Sequence, residues 1–321
     1  MKSTISLLIL FFLCCMGCQE KADSPFVLPW EQVKQKGIGA HLNIIVEQTD
    51  EQDITILKRM FDEVSDSFKI NIRYRLKPAN KIADILLADS KLDKKSKYDL
   101  VIASDEVMSE LNTLGLLYAN YHSSIPNFSN LNLRAKQILT KRNQHGLFLV
   151  PVTMRCPGVV YDTTVHQNIP IPGVDMYPYI YKCNSAFNLS LLVAKRIGQN
   201  RMPALDSIDY LSLLKGKSDR DSLTSYLKQY ILPIDSIKPG MNKLVLMSPF
   251  NFDLLKSKGS LNIYENADIP CMNTCAGILN SSNSVFGAML LINNFLDENT
   301  QHINYEMSHH YFRPVVRINN I

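Results

Sequence analysis

The chain has 321 residues (36.4 kDa), 46% of them hydrophobic and 20% charged, with 13 Gly and 15 Pro, a balance that excludes low-complexity, collagen-like and disordered classes. That length supplies one large or two ordinary domains, with a core that needs no disulfide or metal to staple it. The formal charge of +4, from 34 basic and 30 acidic residues, is not gathered into a basic stripe, so no nucleic-acid partner is expected.

Lys2 precedes an apolar run from Ile5 to Leu13, which breaks at Cys14-Cys15-Met16-Gly17-Cys18 into polar residues. The run is that of a secretory signal and is too short to span a membrane. Its ending resembles the bacterial lipobox: Gly17-Cys18 match, and Cys15 stands where leucine is usual. Residues 1–17 are therefore expected to be a lipoprotein signal peptide and Cys18 the lipidated residue, the alternative being a plain signal peptide or an uncleaved anchor. No later segment approaches the roughly 18 consecutive apolar residues of a spanning helix. The expected product is a body held on a lipid anchor in the bacterial envelope, facing the periplasm or the cell surface. Residues 18–40 carry Pro25, Pro29, Gly37 and Gly39 without a sustained period and read as a tether, with Trp30 available to dock on the body.

Leu42–Val46 is a short apolar run, followed by Ile54, Leu57, Phe61, Val64 and Phe68 at helical spacing, so strand then helix is expected. Ile70, Ile72, Tyr74 and Leu76 alternate as a strand, Ile82, Ile85 and Leu86 mark a helix, and Tyr98–Ala103 is a buried strand. The next helix starts near Ser104 and stops at Gly115, a left-handed cap. This alternation predicts a mostly parallel sheet covered on both faces, with ligands at the strands' carboxyl ends, near Thr49 and Ser104. After a Pro/Asn/Ser-rich connection (123–132), strands are expected around 148–153 and 158–162. Helices near 185–197 and 223–231 and a strand at 243–247 follow. The chain closes with a strand near 276–279, a helix at 285–296 and a short terminal helix.

Several strings carry a resemblance. They are Tyr98-Asp99-Leu100-Val101-Ile102-Ala103-Ser104, Leu114-Gly115-Leu116-Leu117, Ile125 to Leu131, Val150-Pro151 with Gly158 to Asp162, Ala276 to Leu279, and Ala288 to Leu296. In order and spacing they resemble the periplasmic solute-binding proteins of ABC importers, of the spermidine/putrescine-binding type, over about 42–162 and 259–314. The resemblance implies a two-lobed α/β fold (type II), each lobe a mostly parallel sheet flanked by helices, with two strands crossing between lobes. Residues 41–155 plus 275–321 would form lobe 1 and residues 156–274 lobe 2. A small molecule would be captured in the cleft by a monomer and passed to an ABC permease.

Aligned by those strings, Thr49 or Gln48, Met154 and Ser248 stand where the family places cleft tryptophans, and Asn184 or Ser185, Asn188 and Asn273 where it places acids. A typical polyamine is therefore not expected, since ammonium groups need carboxylate partners and aromatic faces. Arg155 with Thr153, Ser104, Asn273 and Thr274 instead suits a carboxylate, a phosphate or a polar neutral solute. Arg155 could equally serve an ion pair, with Asp268 or Glu47 as partner. Asp105 and Glu106 answer a helix macrodipole. Cys156, Cys183, Cys271 and Cys275 would lie near the cleft or hinge. They could form a disulfide, Cys156 with Cys275 first, remain buried thiols, or capture a soft metal. No cofactor, metal or catalytic residue is expected: there is no Gly-x-Ser-x-Gly, His-Glu-x-x-His or phosphate loop. Set against solute capture is a sensor or interaction lipoprotein that keeps the fold with a degenerate pocket.

Overall fold

In a computed structural model, residues 28–49, 51–90, 97–142, 148–155, 158–166, 179–181, 231–232, 234–241, 245–247, 252, 255, 259–264, 272–308 and 312–318 are described. They form a six-stranded and a five-stranded sheet.

The first sheet is built from β1 (His41–Glu47), β2 (Asn71–Lys77), β3 (Leu100–Ser104), β4 (Val150–Arg155), β10 (Met272–Ile278) and β11 (Phe312–Arg313), in the order β11-β4-β10-β3-β1-β2. β1 pairs parallel with β2 and β3, whereas β10 is antiparallel to both β3 and β4, and β11 to β4. Four strands thus run one way and two return. All five residues of β3 are buried, as expected of a strand covered on both faces. β2 has no buried residue and carries Arg73, Arg75 and Lys77, charges that protect an edge strand from pairing further.

Helix α2 (Glu51–Phe68) connects β1 to β2 and buries Ile56, Leu57, Met60, Phe61 and Val64 at helical spacing. Helix α3 (Ala79–Ser90) connects β2 to β3. Because β2 and β3 flank β1 on opposite sides, right-handed crossovers put α2 and α3 on opposite faces of the sheet. Helix α4 (Asp105–Thr113) follows β3 directly and ends at Gly115, whose φ of +69° and the Leu116 N–H to Leu111 carbonyl bond make the expected left-handed cap. Helix α5 (Leu133–Arg142), α6 (Val285–Phe295) and α7 (Glu298–Met307) complete this body. The stretch 133–142 carried no reading as a helix.

The tether reading of 18–40 is corrected over its last part. Trp30–Gly37 forms helix α1, which packs against α6, with Val33 fully buried. Glycine is what permits this approach: a Cβ on Gly37 would lie 2.7 Å from Leu290 Cδ1, and one on Gly287 2.8 Å from Ala40 Cβ.

β4 carries a bulge. Thr153 faces Thr274 and Pro151 faces Cys275, so Val152 is the extra residue. Pro151, with no N–H to give, is placed where the ladder is already interrupted, and the Val152 carbonyl accepts a 2.7 Å hydrogen bond from Gln301 Nε2 of α7. The expected Cys156–Cys275 pairing falls in part on residues that are not described. Cys156, Cys183 and Cys271 themselves lie outside the described residues, and Cys275 is buried.

Two residues after β4 the chain starts β5 (Gly158–Asp162) of the second sheet, which also holds β6 (Tyr179–Tyr181), β7 (Ile231–Leu232), β8 (Val245–Met247) and β9 (Leu261–Tyr264), in the order β7-β6-β8-β5-β9. Val160, Ile237, Met241, Val245, Met247, Phe252, Leu255 and Leu261 form its separate core. The first helix expected in this part, near 185–197, lies outside the described residues, as does the one near 223–231 except for Ile231, which begins β7. Among the described residues no helix is long and apolar enough to cross a membrane. The leader, Cys18 included, is outside them.

Candidate functional site

The order of the first sheet reverses at β1 and β3, and in open α/β sheets the crevice at the carboxyl ends of such a pair is where ligands gather. Here β1 ends at Glu47 and β3 at Ser104; α4 begins at once and α2 at Glu51. The Glu47 carboxylate joins the two strand ends, accepting the Ser104 N–H at 2.7 Å.

A cavity of about 20 Å³ opens at this point, enough for about one water. Its polar lining is Glu47, Thr49, Asp53, Ser104, Thr153, Arg155 and Thr274; Ile56, Leu57 and Met60 of α2, with Phe312 of β11, supply most of the apolar wall. Arg155 and Asp53 are only 5% and 2% exposed. Arg155 Nη1 donates to Asp53 Oδ2 at 2.6 Å and to Thr49 Oγ1 at 2.5 Å, and Thr49 in turn donates to Asp53 Oδ2. The guanidinium therefore meets a carboxylate of its own chain. Among the described residues its ion-pair partner is Asp53 in the first turn of α2; Asp268 lies outside them.

Two hydroxyls remain. Ser104 Oγ and Thr153 Oγ1 are buried, line the cavity and have no hydrogen-bond partner. Buried hydroxyls are ordinarily satisfied, because leaving one unpaired costs about 1–3 kcal/mol.

Of the residues expected at the site, Thr49, Ser104, Thr153, Arg155 and Thr274 come together around this cavity. Met154 does not line it: the residue is buried in the hydrophobic core on the other face of β4, opposite Asn273 across the ladder. Asn273 likewise does not line it. Asn184, Asn188 and Ser248 lie outside the described residues. Asp53 and Phe312 were not anticipated. Asp53 had a visible signal, an acid four residues after Thr49 at the start of an amphipathic helix. Phe312 had none, since only strand pairing brings it opposite Arg155.

Packing behind the cavity holds α2 in place. Arg59 Nη2 donates to Asn304 Oδ1 of α7 at 2.5 Å, Arg59 also pairs with Glu63, and Gln301 Oε1 accepts the Val315 N–H. Asp105 at the start of α4 is buried. Among the described residues no group of three or more His, Cys, Asp or Glu is placed to hold a metal.

No protein-family model and no curated protein matches the sequence. Among solved structures, the backbone is similar to the apo ferric ion-binding protein A of Pasteurella haemolytica, with TM-score 0.59, 13% identity, and 86% of this chain and 85% of that chain covered. It is also similar to the periplasmic binding protein AfuA of Actinobacillus pleuropneumoniae, solved with exogenous fructose-6-phosphate, with TM-score 0.56, 12% identity and 88% of each chain covered. A third likeness is to the Tp0655 (TpPotD) lipoprotein of Treponema pallidum, with TM-score 0.54, 12% identity and 83% of each chain covered. At these identities the likeness is one of fold. The chain has the α/β fold of type II periplasmic binding proteins.

Proposed function

We propose that this protein is a lipid-anchored solute-binding protein that captures a small molecule between its lobes and delivers it to an ABC permease. The observation that carries this reading is the position of the cavity: at the strand-order reversal of a periplasmic-binding-protein fold, floored by two hydroxyls without partners. Thr49, Ser104, Thr153, Arg155 and Thr274 supply one wall of the proposed cleft, and Asn184, Asn188 and Ser248, which the resemblance adds to the site, lie outside the described residues. On this reading residues 41–155 plus 275–321 form one lobe and residues 156–274 the other, and the protein works as a monomer.

A thermal-shift screen of amino acids, sugars, amines, organic acids and phosphates tests capture. A true ligand at about 100 times its dissociation constant adds about 2.7 kcal/mol and raises Tm visibly. The volume of about 20 Å³ favours a second reading, a sensor or interaction lipoprotein with a closed-in pocket; a panel that leaves Tm unmoved throughout would select it. The anchor is tested separately. Cys18→Ser should release the protein from membranes, because acylation supplies the membrane affinity; a variant as membrane-bound as the parent, with no acyl group on residue 18, would refute the anchor.

A further inference from the structure

Charge that reads as dispersed along the chain is gathered by the fold at one edge of the first sheet. Residues 69–81 hold Lys69, Arg73, Arg75, Lys77 and Lys81 and no acid. β2, the end strand of its sheet, carries Arg73, Arg75 and Lys77. Spaced by two, these stand on one face of the strand, in a row about 14 Å long. Lys69 precedes the strand and Lys81 lies in the first turn of α3, where the macrodipole disfavours a cation; both are exposed. Among the described residues none of the five makes an ion pair. The register puts Glu47 beside Lys77, but that carboxylate is buried and accepts the Ser104 N–H. Leu76, 39% exposed, adds an apolar side chain on the other face of the same edge. Cations held this close repel one another, a cost that an anionic partner relieves.

The occupant that fits is a membrane surface. A second copy of β2 would set arginine against arginine across the seam, which is repulsive. A bilayer with anionic headgroups offers a plane of phosphates, which a straight row of guanidinium and ammonium groups can meet along its whole length. Residues 18–27 span at most about 35 Å, more than the about 23 Å of β2, and α1 leads the chain into β1, the neighbour of β2. A body tethered through Cys18 therefore keeps this edge within reach of the bilayer.

We infer that the β2 edge, with Lys69 and Lys81 at its ends, is a docking surface for the anionic headgroups of the membrane that holds the anchor, and that β2 lies parallel to the bilayer plane. The choice of occupant rests on the lipid-anchor reading given above.

The test places the full-length protein and Cys18→Ser on phosphatidylcholine vesicles and on vesicles rich in phosphatidylglycerol, at low and high salt. It reads the vesicle affinity of Cys18→Ser and the deuterium exchange of 69–81 in both proteins. The anionic vesicles should bind more tightly, lose that advantage in salt, and slow exchange across 69–81. Each cation near such a surface is worth about fivefold in affinity. Arg73→Gln/Arg75→Gln/Lys77→Gln, made in the Cys18→Ser chain, should therefore weaken anionic-vesicle binding on the order of a hundredfold. Lys58→Gln/Lys238→Gln/Arg317→Gln, which removes the same charge elsewhere, should weaken it by less than about tenfold. If the strand variant does not fold, Lys69→Gln/Lys81→Gln, outside the sheet, decides with an expected loss of about twentyfold. Folded variants that bind as the parent does, or exchange across 69–81 that is equal on both kinds of vesicle, would overturn the inference. So would affinity for a DNA duplex that depends on these cations, with none for anionic vesicles. Loss of vesicle binding in the variants, with no acyl group on Cys18 of the wild type, would sink the anchor and leave the docking surface standing; an acylated protein indifferent to these substitutions would do the reverse.

Discussion

Arg155 and Asp53 have given up almost all contact with water, and such a pair is worth most when one considers removing half of it. Breaking a buried ion pair leaves the other charge stranded at a cost of about 3–5 kcal/mol, whereas replacing both partners by apolar groups costs far less. Arg155→Ala should therefore lower unfolding free energy by about that amount in urea titrations, and the Asp53→Leu/Arg155→Met double variant should be more stable than either single one; additive losses would show that the pair is not coupled. His122 and Asp162 act through protons. Burial holds His122 below its usual range, while hydrogen bonds from Thr164 Oγ1, Gly240 N–H and Ser260 Oγ hold Asp162 well below the usual carboxylate range. In both cases the unfolded chain takes up protons before the folded one does, so stability falls on acidification. The His122 contribution is lost as pH drops from about 6.5, and that of Asp162 as pH drops below about 4. Tm measured against pH should decline in those two windows, and His122→Gln should flatten only the upper one.

At the scale of elements, the parts that the sequence reveals are those whose burial follows one period. β3 reads as a strand because all five of its residues are apolar or small, and α2 because its apolar residues recur every three or four positions. Helix α5 was hidden because Leu133–Arg142 is mostly polar, and among its described side chains the buried ones are Ala135 and Leu139. Helix α1 was hidden for another reason: eight residues ending at Gly37, with Gly39 just beyond, have little helical preference of their own, and docking on α6 stabilises them. That docking depends on close approach. Gly287→Val would drive its side chain into Ala40 and Leu42 and should cost about 1–3 kcal/mol as overpacking. Faster proteolysis near residues 28–40 should accompany the loss; an unchanged Tm would mean that α1 contributes nothing.

For the whole molecule, the strand order, with the first sheet reversing at β1 and β3, is what places the site, and the carboxyl-end positions near Thr49 and Ser104 were legible from the β-α-β alternation. The charge state of the site was not legible. Arg155 reads as an available cation until α2 folds back and brings Asp53, 102 residues away in sequence, onto its guanidinium. Motif order can say which strand ends meet; it cannot say which of the side chains gathered there will neutralise one another, because that depends on helix rotation and on distances of a few ångströms.

Val152 is the residue that β4 can lose. Across the ladder Pro151 faces Cys275 and Thr153 faces Thr274, neighbours on β10, so the bulge absorbs one unit of chain length without turning Thr153 or Arg155 away from the cavity. A deletion at 152 would restore plain alternation and leave both side chains on the face they now occupy, at the expense of the Gln301 bond and some core packing. A deletion one or two residues later that kept the bulge would instead invert the end of the strand and send Arg155 into the apolar core. Chains of this architecture can therefore differ in length at this point while keeping the same residues over the cleft, and any alignment of them through 150–155 should slip by one place at Val152.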